Sequence, residues 1–198
     1  MDFEKIIPVV KSGLEPLTLD DQSIGTTLMD FWKWSVSDLL SNATRGRLAE
    51  FIVATAIGLD STAVRDEWSA YDLETKDGIK IEVKSAAYIQ SWYQKALSKI
   101  QFSTKPALYW DSGTNIQSKE KQRSADVYVL CLLHHEIKRT ADPLNLNQWK
   151  FYVLSTNALN TYKRSQHSIT LKSLETLTRA VGYSELKGEI VEKFRSAR

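Results

Sequence analysis

The chain has 198 residues, 42% hydrophobic and 25% charged, an ordinary composition for a soluble globular protein and enough chain for one domain with a real core. A net charge of +2 neither demands nor opposes a nucleic-acid partner, and no stretch approaches the roughly 18 apolar residues of a membrane span. The single Cys131 excludes an intrachain disulfide, and Met1 to Ser12 carries Asp2, Glu4, Lys5 and Lys11 where a signal peptide would be apolar, so a reducing cytoplasm is expected.

Residues 1–40 read as a helical N-terminal extension, with Leu28, Phe31, Trp32 and the run from Trp34 to Leu40 forming an apolar surface interrupted by Pro8, Gly13 and Pro16. Ser41-Asn42 supplies a cap, and Thr44 to Leu59 follows as a helix that Gly58 ends. Its middle is apolar nearly all round, the mark of a buried helix, and Glu50 is the one charge within it. A lone buried carboxylate costs several kcal/mol unless a cation, a metal or several donors meet it. Arg47 or Arg45 would be the ordinary partner.

Two strands are predicted next, about Ala70 to Thr75 and Ile79 to Ser85, joined at Lys76-Asp77-Gly78. A two-residue loop would pair Asp72 with Val83 and turn it away from Glu82. A three-residue loop with Gly78 in the left-handed position pairs Asp72 with Glu82 on one face and gathers Tyr71, Leu73, Ile79, Ile81 and Val83 on the other. Packing and chemistry favour the same register.

Gln90 to Ile100 has helical spacing in Trp92, Ala96, Leu97 and Ile100, with Lys95 and Lys99 left to solvent. Residues 103–124 look irregular, and Lys119, Lys121 and Arg123 make them either a substrate-contacting basic loop or a solvated excursion. Strands follow at Ala125 to Leu133, with Cys131 as a small core residue, and at Trp149 to Leu154. Helices are expected at Leu171 to Val181 and Ser184 to Arg195. The tryptophans at 32, 34 and 92 read as core. The order implies an α/β single domain with a mixed central sheet flanked by helices: an extension over 1–40, a core over 41–155 and C-terminal helices over 156–198.

Glu-x-Lys occurs four times, at Glu74/Lys76, Glu82/Lys84, Glu136/Lys138 and Glu185/Lys187, so the motif alone says little. Asp126 even precedes Glu136 by the same interval that separates Asp72 from Glu82. No turn lies between Asp126 and Glu136, which places them ~33 Å apart along a strand. Local structure brings together only Asp72, Glu82 and Lys84. The competing reading is an exposed strand face on which Lys80, Glu82 and Lys84 pair with Asp72 or Glu74.

Glu50 on a helix, Asp72 on the first hairpin strand and Glu82-Val83-Lys84 on the second resemble the PD-(D/E)xK superfamily of restriction-endonuclease-like nucleases. The resemblance runs to about residue 155. Asp30-Phe31-Trp32-Lys33-Trp34, Asn42-Ala43-Thr44-Arg45-Gly46 and Ala49-Glu50 are also similar to uncharacterised bacterial proteins of this type. Tyr71 stands where the superfamily often has proline. The resemblance implies a restriction-endonuclease-like core, a catalytic set of Glu50, Asp72, Glu82 and Lys84, and a metal held by Asp72, Glu82, the Val83 carbonyl and Glu50. Oxygen donors suit Mg²⁺, with Mn²⁺ as a substitute. The expected activity is hydrolysis of DNA phosphodiester bonds by a restriction- or repair-type endonuclease, with Lys95, Lys99, Lys119, Lys121 and Arg123 contacting the nucleic acid. A homodimer or a subunit of a nuclease complex would serve double-strand cleavage. A non-cleaving nucleic-acid-binding module and a structural or protein-interaction domain are the alternatives from other classes.

Overall fold

The computed structural model describes residues 5–59 and 64–197; the ends of the expected N- and C-terminal segments, Met1 to Glu4 and Arg198, lie outside the described residues. Its centre is a five-stranded sheet in the order β11-β9-β8-β4-β3. The strands are β3 (Leu73–Glu74), β4 (Lys80–Ala87), β8 (Val127–Leu133), β9 (Trp149–Ser155) and β11 (Ala180–Val181). β4 runs parallel to β8 and the other pairs are antiparallel, so the sheet is mixed, as the element order implied.

Every residue of β8 is buried, because both faces of the sheet are covered. On one face, Ile81, Val83, Val127, Val129, Cys131, Phe151 and Val153 pack beneath α2 (Asn42–Ile57) and α5 (Tyr183–Arg195). On the other, Tyr128, Leu130, Leu132, Tyr152 and Leu154 meet Phe102 of β5 (Gln101–Ser103), Ile169 of β10 (Ser168–Thr170), Leu159 of α3 (Thr156–Thr161) and Leu174 of α4 (Leu171–Leu174). A parallel pair needs a long crossover. Here it is residues 88–126, which contain β5 and a small hairpin, β6 (Trp110–Asp111) and β7 (Ile116–Gln117). No helix among the described residues is long and apolar enough to cross a membrane.

Several elements differ from expectation. Of residues 1–40, only α1 (Leu28–Val36) is helical; β1 (Pro16–Leu19) and β2 (Gln22–Thr27) form a hairpin. Its two-residue turn is Asp20-Asp21, both at positive φ (47° and 60°), a conformation that short acidic side chains tolerate. Gly13, at φ 90°, lies so close to Trp32 that a Cβ there would approach the ring to 2.9 Å. The expected helix over Gln90 to Ile100 is absent, since Gln90 and Gln94 bond to local backbone in competition with a helical ladder. The helix expected from Leu171 stops at Leu174, and Ala180–Val181 pairs with β9 instead. Trp34 is 85% exposed and Trp92 is 52% exposed, whereas the buried tryptophan is Trp149.

α2 begins at the Ser41 cap and ends at Gly58 as expected, but it is one-sided: Ala49, Ile52, Val53 and Ile57 are buried while Phe51 is exposed. Arg45 on this helix is buried, and its guanidinium donates to the Leu40 carbonyl (2.8 Å), Asn42 Oδ1 (2.7 Å) and Gln90 Oε1 (3.2 Å). These bonds fasten α2 to the loop that leaves β4. Replacement by alanine strands the Leu40 and Gln90 oxygens without donors. Arg45→Ala is therefore expected to lower stability by roughly 3 kcal/mol, read as an earlier urea midpoint at unchanged m-value.

Candidate active site

The hairpin that presents the acidic residues has the three-residue loop. Leu73 pairs with Ile81 and Glu74 with Lys80, the register that sets Asp72 against Glu82. Gly78 takes φ 80°, the Gly78 amide donates to the Thr75 carbonyl (2.9 Å), and the Ile79 amide donates to Thr75 Oγ1 (3.0 Å). Tyr71 departs from the expected face: it packs with the opposite layer, and Lys80 Nζ lies 5.2 Å from its ring centre.

β3 is only two residues long, so the outer edge of β4 beyond Ile81 has no partner strand. The Asp72 amide donates to the Ile81 carbonyl (3.0 Å), and Asp72 Oδ2 then accepts the Val83 N–H (2.7 Å) in place of a strand carbonyl. Asp72 is thereby locked against the strand that carries Glu82 and Lys84. Ile81 and Val83 enter the layer beneath α2, and the alternation of the strand turns Glu82 and Lys84 the other way. The Lys84 ammonium donates to Glu82 Oε1.

Glu50 reaches the same edge from α2. Its partner is neither Arg45 nor Arg47 but Arg65, whose Nε donates to Glu50 Oε2. The Arg65 guanidinium also bonds Glu67 and lies 3.8 Å from Asp72 Oδ1. Glu50, Asp72 and Glu82 side chains are 14%, 17% and 20% exposed, so their charges are largely taken out of water. Sequence reasoning missed Arg65, which stands in a stretch without periodicity; its one signal is being the sole arginine between Arg47 and Arg123.

Desolvation raises the Glu50 carboxyl above the usual range, against the Arg65 hydrogen bond, and the Asp72 charge raises it further. Desolvation likewise raises Glu82, which Lys84 opposes and which Asp72 and Glu50 reinforce. Asp72 and Lys84 thus stand close enough to act on both the Glu50 and the Glu82 carboxyls. Four carboxylates, counting Glu67, face three cations, Arg47, Arg65 and Lys84, which leaves the cluster one positive charge short. A place where an arginine already gathers carboxylates suits a cation, and the donors are hard oxygens. Among the described residues, no group of three or more His, Cys, Asp or Glu side chains is arranged to hold a metal, so the fit to an ion rests on two carboxylates, Asp72 and Glu82, with backbone oxygen as the further donor.

Other polar and basic residues have surroundings of their own. Gln90 is buried against Arg45, Ala87 and Ser98, and Gln94 bonds Tyr88 and Ser98, so both knit the loop after β4. All three nitrogens of the Arg123 guanidinium are engaged, by the Thr104 carbonyl, Asn160 and Gln166. Lys95, Lys99, Lys119 and Lys121 are exposed. Asp126 accepts the Lys80 amide (2.9 Å) and serves the sheet, while His134 meets the Gln148 carbonyl and His135 the Thr140 hydroxyl.

Because the folded-state Glu82 carboxyl titrates higher than in the unfolded chain, its ionisation opposes folding at neutral and alkaline pH. The penalty is complete above the raised value and disappears as pH falls below the ordinary carboxylate range. Glu82→Gln is therefore expected to raise Tm by a few degrees at pH 8 in EDTA. Thermal unfolding followed from pH 8 to pH 4 should show the gap to wild type closing as Glu82 takes up its proton.

Residues 23–173 match the family model described as bacteriophage T4 endonuclease IV, a span that contains the whole acidic cluster and the sheet through β9. No curated protein matches the chain. With about three quarters of its length under that model, the chain belongs to the bacteriophage T4 endonuclease IV family, a family of nucleases.

Proposed function

We propose that the protein is a DNA endonuclease that hydrolyses phosphodiester bonds with the help of a divalent ion, Mg²⁺ or in its place Mn²⁺, in the manner of restriction- or repair-type PD-(D/E)xK enzymes. The observation that carries this reading is the convergence of Asp72, Glu82 and Lys84 on the open edge of β4, with Glu50 behind them, in a chain of an endonuclease family. A binding module would gain nothing from buried carboxylates facing an anionic polymer.

In this reading Asp72 and Glu82 would hold the ion, with the Val83 carbonyl and Glu50 as further oxygen donors. The ion supplies polarisation of the scissile phosphate and stabilises the charge that develops on its oxygens. Lys84, fixed by Glu82, orients the attacking water and balances charge on the phosphorane. The water oxygen forms the new bond to phosphorus and gives up a proton to solvent, while one ester P–O bond breaks with its electron pair kept by the departing oxygen, which takes up a proton from solvent to leave as a hydroxyl. Val83 N–H keeps Asp72 from rotating out of place. Lys95, Lys99, Lys119 and Lys121, all exposed on the crossover, would meet phosphates of the DNA, and Arg123 secures that crossover.

Cleavage of supercoiled plasmid, linear duplex and single-stranded DNA with Mg²⁺ or Mn²⁺ tests the reading. Wild type should cut and EDTA should stop it; Lys84→Ala and Asp72→Asn should each lose roughly 100-fold or more. Asparagine retains an acceptor for the Val83 amide, so its loss reports on the metal and not on the fold. Full activity in Lys84→Ala would discard the assignment.

Arg65 gives an independent handle. Arg65→Gln removes the cation that gathers Glu50, Glu67 and Asp72, so the metal-free protein should melt earlier than wild type while Mn²⁺ titration shows tighter binding. Unchanged Mn²⁺ affinity in that variant would mean that the ion does not sit among these carboxylates.

A further inference from the structure

Glu82 also floors a cleft that hydrolysis alone does not require. The cleft holds about 400 Å³ and lies between residues 67–70 and the crossover hairpin. Glu82 and Tyr128, paired across β4 and β8, form its base. Its wall is aromatic: the Trp68 and Trp110 rings meet edge to face, 5.3 Å between centroids at 78°.

The aromatic wall is held in place before any ligand arrives. Trp110 Nε1 donates to Asn115 Oδ1 (3.1 Å), Ala107 and Gln122 exchange both backbone bonds, and the Tyr109 amide donates to Ser118 Oγ (2.8 Å). The polar lining is unspent by contrast. Tyr128 is 4% exposed, yet its hydroxyl forms no hydrogen bond among the described residues, and neither do the side chains of Lys105, Gln122 and Ser124. An anchored indole with a second set edge-on to it, idle donors and acceptors beneath, and a carboxylate cluster and a lysine alongside have the chemistry of a site for a flat heteroaromatic ring attached to a phosphate.

We propose that this cleft is a subsite for one unstacked nucleobase, that of the nucleotide adjoining the phosphate at Glu82 and Asp72. Trp110 stacks the base while Trp68, nearly perpendicular to it, meets the base side-on; Tyr128 and Gln122 hydrogen-bond the polar edge, and Lys105 meets the flanking phosphate. An aromatic wall can offer its face only to a base that has left its own stack, so the subsite acts on an unpaired or extruded nucleotide. The inference rests on the nuclease reading in taking the Glu82 edge as the place of the scissile phosphate.

The probe is a short single-stranded oligonucleotide with a single 2-aminopurine, titrated in EDTA so that no cleavage intervenes. Wild type should quench its fluorescence in a saturable manner. Trp110→Ala and Trp68→Ala should each weaken binding at least roughly tenfold and abolish the quench, while Trp34→Ala, on the exposed helix α1 and outside the cleft lining, should behave as wild type. Trp68 is 61% exposed, so its truncation leaves the fold intact even if Trp110→Ala does not fold. Absence of quenching in wild type, or quenching that survives both wall substitutions, overturns the subsite. If the quench depends on both indoles but no metal-dependent cleavage of any DNA occurs, the subsite stands and the hydrolytic reading falls. Cleavage together with a quench indifferent to both substitutions gives the reverse.

Discussion

The Val83 N–H has no strand beside it, because β3 begins only at Leu73, opposite Ile81, and the Asp72 carboxylate takes the place of the missing carbonyl. An edge amide facing a low-dielectric surface needs an acceptor, and the Asp72 carboxylate answers that need with one oxygen while the other faces Arg65. The geometry of the cluster follows from this bond. It holds Asp72 in the plane of β4, sets Glu82 across from it, and brings the pair to the side where Glu50 emerges from α2. A longer β3 would satisfy the amide with backbone and close the edge.

The same arrangement works against the stability of the protein. Burial, reinforced by the neighbouring carboxylates, raises the proton affinity of Glu50 and Glu82, and Arg65 and Lys84 offset only part of the effect. The energy to hold them comes from elsewhere: from β8, whose residues are buried on both faces, and from the Arg45 bonds that tie α2 to the exit of β4. A scaffold with a surplus in its sheet can carry an electrostatic deficit at its edge, as enzymes commonly do. The resident arginine lessens that deficit by gathering Glu50, Glu67 and Asp72 around one guanidinium.

The parts of the chain governed by local rules were legible. The three-residue turn, the left-handed Gly78 and the Asp72–Glu82 register followed from turn chemistry and alternation; β8 and β9 followed from unbroken apolar runs; the Ser41 and Gly58 limits of α2 followed from capping. What escaped depends on partners distant in sequence. Gln90 and Gln94 lie on a helical spacing, yet their amides are consumed by Arg45 and the local backbone. Ala180 and Val181 became a strand because β9 offered a free edge. Arg65 has no pattern around it, and only the fold reveals that Glu50 and Asp72 stand within its reach. The N-terminal hairpin shows the opposite failure, since a strong aromatic periodicity in α1 concealed the Asp20-Asp21 turn just before it.

Cys131 is fully buried at the centre of β8, and burial together with the negative charges at Asp72 and Glu50 pushes its thiol far above the ordinary range. Reactivity toward disulfides and maleimides belongs to the thiolate, so this sulfur is chemically silent in the folded state. The natural chain thus already behaves as a cysteine-free background. A cysteine introduced at Ser112, at the tip of the crossover hairpin, would be its one modifiable thiol, and a spectroscopic label there could follow that hairpin while the nuclease engages a strand.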